Sequence, residues 1–277
     1  MTATALQIAQ ISDSHVGAPG KILMGRVDTG AFLAAAVAAV NRLDPPADLV
    51  VISGDLVEEA RAEEYAHFAA LIAPLKAPAY LMMGNHDRRE TLRAAFPGHR
   101  YLPRDGFLHY ALEDWPVRIV ALDTLIPREG GGEASAEGLD WLDRTLAAAP
   151  AKPTIVAMHH PPFRTGIACR AGHGLRDADR FAAVIARHPQ VERIVAGHLH
   201  RSIQCRVGGT VASTCPSPAH QIALDLRPEA PLGFTMEPPG YQLHTWFPGT
   251  GIVTHTVTIG RYDGPYPFRE PEGELIS

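Results

Sequence analysis

The sequence is poor in cysteine, with three residues in 277 at positions 169, 205 and 215. Three scattered thiols are too few for the disulfide framework of a small secreted protein or for a thiolate zinc site. Long apolar runs are missing too. The longest, from Ala31 to Val40, has ten residues, about half of what crosses a bilayer. A membrane-spanning protein is therefore not expected.

The sequence also has no excess of positive charge. It holds 25 Lys and Arg against 30 Asp and Glu, a formal net charge of −5, with no basic tail. A protein that coats a nucleic acid needs a cationic surface to displace counterions, so no nucleic-acid polymer is expected as a partner. The first ten residues contain no basic stretch of the kind that opens a secretion signal. We expect a cytoplasmic protein.

Short apolar runs alternate with helical patterns through the first 200 residues. The runs have the length and β-branched content of buried strands: Leu6–Ser12, Leu49–Ser53, Ala79–Met83, Thr154–Met158 and Arg193–Ala196. Helices are predicted at Gly30–Arg42 with Thr29 as its cap, Arg61–Ala73, Ala136–Ala148 and Asp177–Arg187. This alternation implies parallel pairing and an α/β core.

After about residue 200 the pattern changes to strands separated by turns. The predicted strands are Ser202–Val207, Thr210–Ser213, Gln221–Leu226, Tyr241–Phe247 and Gly251–Ile259. Arg227–Gly240, with four prolines, is predicted to be a long loop or protrusion. We expect one domain over 1–277, in which 1–200 form a metal-binding α/β core. In that prediction 201–277 complete a second, more antiparallel sheet and add the Pro-rich protrusion.

The five strands of the first part share an unusual ending, because polar residues follow each of them directly. These residues are Asp13, His15, Asp55, Asn85, His86, Asp87, His159, His160, His198 and His200. In open α/β sheets, ligand sites collect outside the carboxyl ends of the strands. Nitrogen and oxygen donors without a thiolate suit Zn, Mn, Co or Fe.

The number of candidate ligands favours two ions that share one carboxylate. Asp55 stands alone on its strand end and is the natural bridge. In the D-x-H and H-x-H motifs, two donors lie two residues apart on extended backbone and point the same way. Each motif taken alone is more often a turn or a half-exposed strand. All five together, in order and always at a strand end, favour a metal site.

The motifs D-x-H, G-D, G-N-H-D, H-H and G-H-x-H, in this order, resemble those of the calcineurin-like metallophosphoesterase superfamily. The nearest resemblance is to class III cyclic nucleotide phosphodiesterases and bacterial glycerophosphodiesterases. The Cys-Pro-Ser-Pro-Ala-His-Gln run at 215–221 and Glu-Pro-Pro-Gly-Tyr at 237–241 are similar to that subgroup as well. The resemblance implies a four-layer α-β-β-α sandwich of two mixed sheets flanked by helices.

The resemblance also implies a ligand set. The first metal would be held by Asp13, His15, Asp55 and His200, and the second by Asp55, Asn85, His159 and His198. His159 is assigned as the ligand of its pair because it directly follows the strand, which leaves His160 as a supporting residue. Asn85 and His86 would face the substrate, with Asp87 as the hydrogen-bond partner of His86. The metals implied are Mn, Fe, Zn or Co.

The chemistry implied is hydrolysis of a small phosphodiester by a hydroxide that bridges two ions. The substrate is a 3′,5′-cyclic nucleotide or a glycerophosphodiester. Alternatives on the same core are a phosphomonoesterase, including a protein phosphatase, a nuclease, and a binding module without catalysis. Relatives of this kind are commonly dimers or larger homo-oligomers, which is expected here as well.

The loop Gly166–Arg176 departs from the family pattern in being more basic. Arg170 and His173 within it are predicted to fold back over the metals and select the substrate, since a guanidinium suits a phosphate or carboxylate. The alternative is that Arg170 is a solvated loop charge.

Overall fold

The computed structural model describes residues 5–167 and 173–269 and contains two mixed β-sheets. With strands numbered along the chain, the first sheet runs in spatial order β15 (Gly251–Thr258), β14 (Gly240–Phe247), β1 (Leu6–Ile11), β2 (Leu49–Ser53), β3 (Ala79–Met82). The second runs β10 (Ile203–Val207), β11 (Thr210–Thr214), β9 (Val191–Ala196), β7 (Thr154–Met158), β5 (Arg118–Leu122), β4 (Tyr110–Leu112). Within each sheet the central strands are parallel.

Two small two-stranded sheets and five helices complete the described chain. The small sheets are β12 (Gln221–Ile222) with β13 (Phe234–Thr235), and β6 (Gly132–Glu133) with β8 (Leu175–Arg176). The helices are α1 (Thr29–Val40), α2 (Ala62–Ile72), α3 (Arg89–Ala95), α4 (Ala136–Ala147) and α5 (Ala178–Ala186). Among the described residues, no helix has the length and apolarity to cross a bilayer.

The side chains of β5 show how the layers are stacked. Ile119 and Ala121 belong to the hydrophobic cluster that includes the first sheet and helices α1 and α2. Val120 and Leu122, which point to the other face, belong to the cluster formed with α4 and α5. Because successive residues of a strand face opposite sides, the second sheet lies between the first sheet and its own helices. The predicted four-layer α-β-β-α sandwich is confirmed.

The strands after residue 200 do not form one sheet, contrary to the prediction. β10 and β11 extend the second sheet, whereas β14 pairs antiparallel with β1, and β15 with β14, to extend the first. The predicted strand Gln221–Leu226 is only two residues long, and beyond it Leu224 and Leu226 are exposed. Local alternation identifies a strand but does not say which of two sheets it joins.

Two local predictions also need correction. Helix α1 is capped by Asp28, whose carboxylate accepts from the Ala31 backbone N–H at 2.9 Å, and Thr29 is the first helical residue. Strand β5 was not predicted, because a run of only four apolar residues, 119–122, cannot be told from a segment of buried helix by its pattern.

Candidate metal centre

The carboxyl ends of β1, β2, β7 and β9 meet where the two sheets approach each other. The His198 backbone N–H, just after β9, donates to the Asp13 carboxylate that follows β1, at 2.9 Å from Oδ1. The His159 ring, after β7, donates from Nδ1 to the Ser53 carbonyl at the end of β2, at 2.9 Å. The polar strand ends of both sheets therefore form one buried site.

Five of the predicted ligands have a left-handed backbone. Their φ angles are 57° for Asp13, 45° for His15, 48° for Asp55, 71° for His198 and 54° for His200. For a residue with a Cβ this conformation costs about 1–2 kcal/mol. Such strain collects at functional sites, where the surrounding structure holds it in place. Here the left-handed conformation turns the backbone sharply at the end of each strand and directs the side chain into the site.

Two glycines permit this close approach. A Cβ on Gly84 would lie 2.2 Å from Asp55 Oδ1 and 2.5 Å from the Asp55 backbone nitrogen. A Cβ on Gly197 would lie 2.0 Å from Ser12 Oγ and 2.8 Å from Asp13 Oδ2. Any side chain at either position would displace a carboxylate of the site.

Asp13, His15 and His200 form the first group of donors. His15 donates from Nδ1 to Glu58 Oε2 at 2.8 Å, and His200 donates from Nδ1 to the His220 carbonyl at 2.9 Å. In the neutral rings both Nε2 atoms then carry lone pairs, yet they lie only 3.1 Å apart. Two acceptors at this distance repel unless a proton or a cation lies between them.

His159 and Asp55 repeat this arrangement in a second group. Because His159 Nδ1 donates to Ser53, Nε2 carries the lone pair in the neutral ring and faces Asp55 Oδ2 at 3.3 Å, a contact that becomes a hydrogen bond when Nε2 is protonated. The Asn85 side-chain oxygen is buried without a hydrogen-bond partner. His159, His160 and His198 each offer a ring nitrogen within 4.8 Å of the others.

Asp55 joins the groups, as expected for a bridging carboxylate. It belongs to the cluster with His15 and His86 and to the cluster with Asp13 and His159. Its other oxygen, Oδ1, accepts from the His86 backbone N–H at 2.8 Å, which fixes the orientation of the carboxylate.

The buried charges shift one another's pKa values. Burial raises the pKa of Asp13. Burial also acts to raise the pKa of Asp55, but the charge and hydrogen bond of His159 outweigh it and hold that pKa well below the usual value. Burial acts to lower the pKa of His15, but Glu58 and Asp55 raise it to about 9. A raised pKa means that the group tends to hold a proton. A cation that binds these groups must displace their protons, which are then released to solvent.

These features fit divalent transition-metal ions. Donor atoms that hold an ion at 2.0–2.2 Å lie about 3–3.5 Å from one another. The observed separations include 3.1 Å, 3.3 Å, and 3.5 Å between His15 Nε2 and Asp55 Oδ2. The donors are imidazole nitrogens and carboxylate or amide oxygens, a set that accepts Zn, Mn, Co or Fe.

His86 lies at the edge of this cluster and is about one-third exposed. Its Nδ1 donates to the Glu58 carbonyl at 2.8 Å, so Nε2 is left for the adjoining cavity. The predicted contact between His86 and Asp87 is absent. Asp87 is buried and accepts instead from the backbone N–H groups of Leu56 and Gly84 and from the Tyr65 hydroxyl, at 3.2, 2.8 and 2.9 Å.

A cavity of about 790 Å³ opens beside Asn85 and His86. This volume is typical of small-molecule sites. Its walls include Glu58, Arg88, Arg128 and the loop from Leu125 to Gly130. Asn85 and His86 therefore line a space that admits a molecule of modest size.

His160 supports the wall of this cavity. The ring is fully buried, and Nδ1 lies 2.8 Å from Thr124 Oγ1, with which it shares a hydrogen bond. A Cβ on Gly132 would lie 2.2 Å from the same nitrogen, so the loop from 124 to 133 is packed tightly on this histidine.

Of the two residues predicted to select the substrate, His173 lies among the described residues and Arg170 does not. His173 packs against the same loop, since a Cβ on Gly130 would lie 2.4 Å from His173 Cδ2. His173 and His198 both line a second cavity, of about 1150 Å³. Arg170 lies outside the described residues.

Sequence reasoning missed two residues of the site. Glu58 follows Asp55 by three residues and holds both His15 and His86, but a carboxylate in a Leu-Val-Glu-Glu stretch carries no local signal. His220 is buried, with its ring centroid 4.7 Å from that of His200. It lies in the Cys-Pro-Ser-Pro-Ala-His-Gln run, which was noted without a role for its histidine.

Comparison with known proteins agrees with this geometry. Residues 6–202 match the family model described as Calcineurin-like phosphoesterase. The chain is 37% identical, over 97% of its length and 99% of the relative's, to the protein described as probable glycerophosphodiester phosphodiesterase GpdQ of Arcobacter nitrofigilis. It is 36% identical to a probable cyclic nucleotide phosphodiesterase of Rhodopseudomonas palustris, over 94% of each chain. It is 31% identical to the 3′,5′-cyclic adenosine monophosphate phosphodiesterase CpdA of Escherichia coli, over 76% of each.

Solved structures show the same fold at lower identity. A dimetal phosphatase from Danio rerio superposes with a TM-score of 0.61 at 16% identity, covering 92% of this chain and 99% of the other. The purple acid phosphatase PPD1 from yellow lupin gives 0.66 at 14% identity, covering 94% of this chain and 53% of the other. At these identities the likeness concerns the fold alone.

We expect the substitution Gly84→Ala to abolish metal binding without unfolding the protein. The added Cβ would enter the position of the Asp55 carboxylate, whereas the backbone of Gly84 is one that alanine adopts. Metal content per chain after dialysis measures the effect. Gly98→Ala is the control, because nothing lies within 4 Å of a Cβ there. Equal metal content in the two variants would contradict the steric argument.

Proposed function

The chain belongs to the calcineurin-like phosphoesterase family, and from that premise we propose that it is a metal-dependent hydrolase of small phosphodiesters. The substrate is a 3′,5′-cyclic nucleotide or a glycerophosphodiester, the classes on which its named relatives act. The observation that carries the proposal is that acceptor atoms face one another at short distance around Asp55, next to a cavity that fits a small molecule.

The proposed centre holds two ions. Asp13, His15, Asp55 and His200 hold one, and Asp55, Asn85, His159 and His198 hold the other. Two ions bound there would activate a water molecule as nucleophile and neutralise charge that develops on phosphorus. The donor set accepts Mn, Fe, Zn or Co, and cellular availability decides among them.

The chain's own groups position the phosphodiester. If the Asn85 oxygen ligates an ion, its NH₂ group is left to donate to a phosphate oxygen. His86 faces the same cavity through Nε2 and is suited to orient the phosphate or to protonate the departing alkoxide. The Glu58 carbonyl holds the ring in the tautomer in which Nδ1 is the donor.

The groups that select the substrate lie farther from the ions. Arg88 and Arg128 line the cavity and have no hydrogen-bond or ion-pair partner for their side chains among the described residues. Together with His173, and with Arg170 in the same segment, they are the candidates for binding the part of the substrate beyond the phosphate. The cytoplasmic location and the homodimeric or larger assembly stay predictions, of which light scattering tests the second.

The direct test uses chelator-treated protein and a panel of substrates. We expect no turnover by the treated protein and recovery with Mn, Co or Zn, because the site offers no other source of nucleophile. Cyclic nucleotides and glycerophosphodiesters should be hydrolysed faster than phosphomonoesters or polynucleotides. Full turnover by protein shown to contain no metal would contradict the mechanism. Faster turnover of monoesters would show that the substrates are phosphomonoesters and not phosphodiesters.

Among the ligand changes, Asp55→Ala should cause the largest loss of both activity and metal. Asp55 is the only predicted ligand shared by both ions, so its removal takes a donor from each. Metal per chain and kcat/KM measure the outcome. Asp140→Ala, an exposed aspartate on α4, is the control. Retention of two metals per chain and near-normal activity by Asp55→Ala would show that the carboxylate does not bridge.

The substitution His86→Ala should leave the metal content intact and slow turnover by about 10²- to 10⁴-fold, the range of a general acid. The loss should be larger for alkyl leaving groups than for nitrophenolate, which departs without a proton. His255→Ala, an exposed histidine on β15, serves as the control. Equal losses on both substrate types would assign His86 to phosphate positioning instead.

A further inference from the structure

A buried polar side chain joins the two sheets directly beneath the metal centre. Gln10 lies on β1 of the first sheet and is fully buried. Its Nε2 donates to Ser53 Oγ on the neighbouring strand β2 at 2.8 Å and to the Ala196 carbonyl on β9 of the second sheet at 2.9 Å. Both hydrogens of the amide are thus engaged, one within its own sheet and one across the interface.

The orientation of this amide is fixed from its other end. Gln10 Oε1 lies 3.1 Å from His244 Nε2, and His244 Nδ1 lies 2.8 Å from Thr254 Oγ1. Burial lowers the pKa of His244 to about 3, so the ring is neutral and carries one proton. With that proton on Nε2, His244 donates to Gln10 Oε1 and accepts from Thr254. Every polar atom of the Gln10 side chain therefore has a partner.

The groups that Gln10 binds are close in sequence to predicted ligands. Ser53 precedes Asp55 by two residues, Ala196 precedes His198 by two, and Gln10 itself precedes Asp13 by three. One side chain therefore links the ends of three strands that deliver ligands, two from the first sheet and one from the second.

We propose that Gln10 is a positioning residue for the metal centre, and that its cross-sheet hydrogen bond to Ala196 sets the separation between the ligands of the two sheets. Apolar contacts between sheets are not directional and tolerate sliding. A metal site tolerates changes of only about 0.2 Å in its ligand distances. The hydrogen bond to Ala196 supplies the directional restraint that apolar packing lacks, and the bond to Ser53 holds the amide in place for it, at the level where the strands end.

The sequence offers a matched control in Gln242. It is also fully buried, lies on β14 beside Gln10, and bonds across the sheets to the Thr214 carbonyl and to Ser213, at 3.0 and 3.1 Å. Its remaining contact, to Ser202 Oγ, is longer at 3.4 Å. Gln242 thus has the chemistry and the burial of Gln10, but β14 and β11 carry no predicted ligand.

The experiment compares Gln10→Met with Gln242→Met after removal of metal and refilling with Co²⁺. Both variants should lose similar free energy of unfolding in urea, because each removes equivalent buried hydrogen bonds. Only Gln10→Met should raise the dissociation constant for Co²⁺, by about tenfold, the low end for loss of a group that supports ligands. Only Gln10→Met should change the visible absorption bands of bound Co²⁺, which report ligand geometry.

The outcomes separate this inference from the proposed function on which it rests. Failure of the wild-type protein to bind Co²⁺ would contradict the metal centre itself. Normal binding by the wild type, with equal dissociation constants and spectra in the two variants, would overturn the role of Gln10 alone. Should Gln10→Met not fold, Gln10→Asn and Gln242→Asn form a second matched pair, since each keeps the amide but shortens the side chain that reaches the other sheet. A raised dissociation constant is then expected for Gln10→Asn only, and equal constants would reject the proposal.

Discussion

The constraint on which the site depends is the burial of three carboxylates of like charge, those of Asp13, Asp55 and Asp87. Taking one such ion out of water costs several kcal/mol even after the protein relaxes. The chain meets this cost first with backbone donors: His198 N–H for Asp13, His86 N–H for Asp55, and the Leu56 and Gly84 N–H groups for Asp87. At Asp87 these donors do not compensate fully, since burial and the charge of Asp55 raise its pKa to about 6. Around Asp13 and Asp55, positive charge must come from histidines or from cations.

The backbone of the site follows from the same constraint. N–H groups reach a buried carboxylate only if the chain turns sharply as it leaves the strand, and Asp13, Asp55 and His198 all do so with positive φ. The strain is stable because each turn has a tight neighbour: Gly84 packs on the Asp55 carboxylate and Gly197 on Ser12 and Asp13. A site built in this way is rigid before any ion or substrate arrives. That rigidity is what places acceptor atoms 3.1–3.3 Å apart, facing one another.

A residue of the site could be predicted from the sequence where its role follows from its position at a strand end. It could not be predicted where its role depends on contacts with residues distant in the sequence. The strand ends were readable, because a buried apolar run followed by Asp or His is a local pattern, and the five motifs led to the fold through their resemblance. Glu58 and Gln10 were not, since they act on partners 28 to 234 residues away, and in a single sequence each looks like an ordinary polar residue. The prediction that β14 and β15 belong to the second sheet was wrong for the same reason. The Asp28 cap was missed because two neighbouring residues are both good caps, and only the backbone decides between them.

Glu58 connects the predicted metal ligand His15 with His86, the histidine at the cavity. Its side chain accepts from His15, a predicted ligand, and its backbone carbonyl accepts from His86, the residue that faces the substrate. The tautomers of both rings are therefore set by one residue, but through different atoms. A change in the Glu58 side chain removes the partner of His15 and leaves the carbonyl that orients His86. Burial acts to raise the pKa of Glu58, but the hydrogen bond and charge of His15, together with the charge of His86, outweigh it and lower that pKa. The carboxylate therefore stays ionised, and a negative partner of this kind strengthens an imidazole as a metal ligand. In this arrangement the predicted metal ligand is tuned by a replaceable side chain, whereas the proposed acid–base residue is held by the main chain.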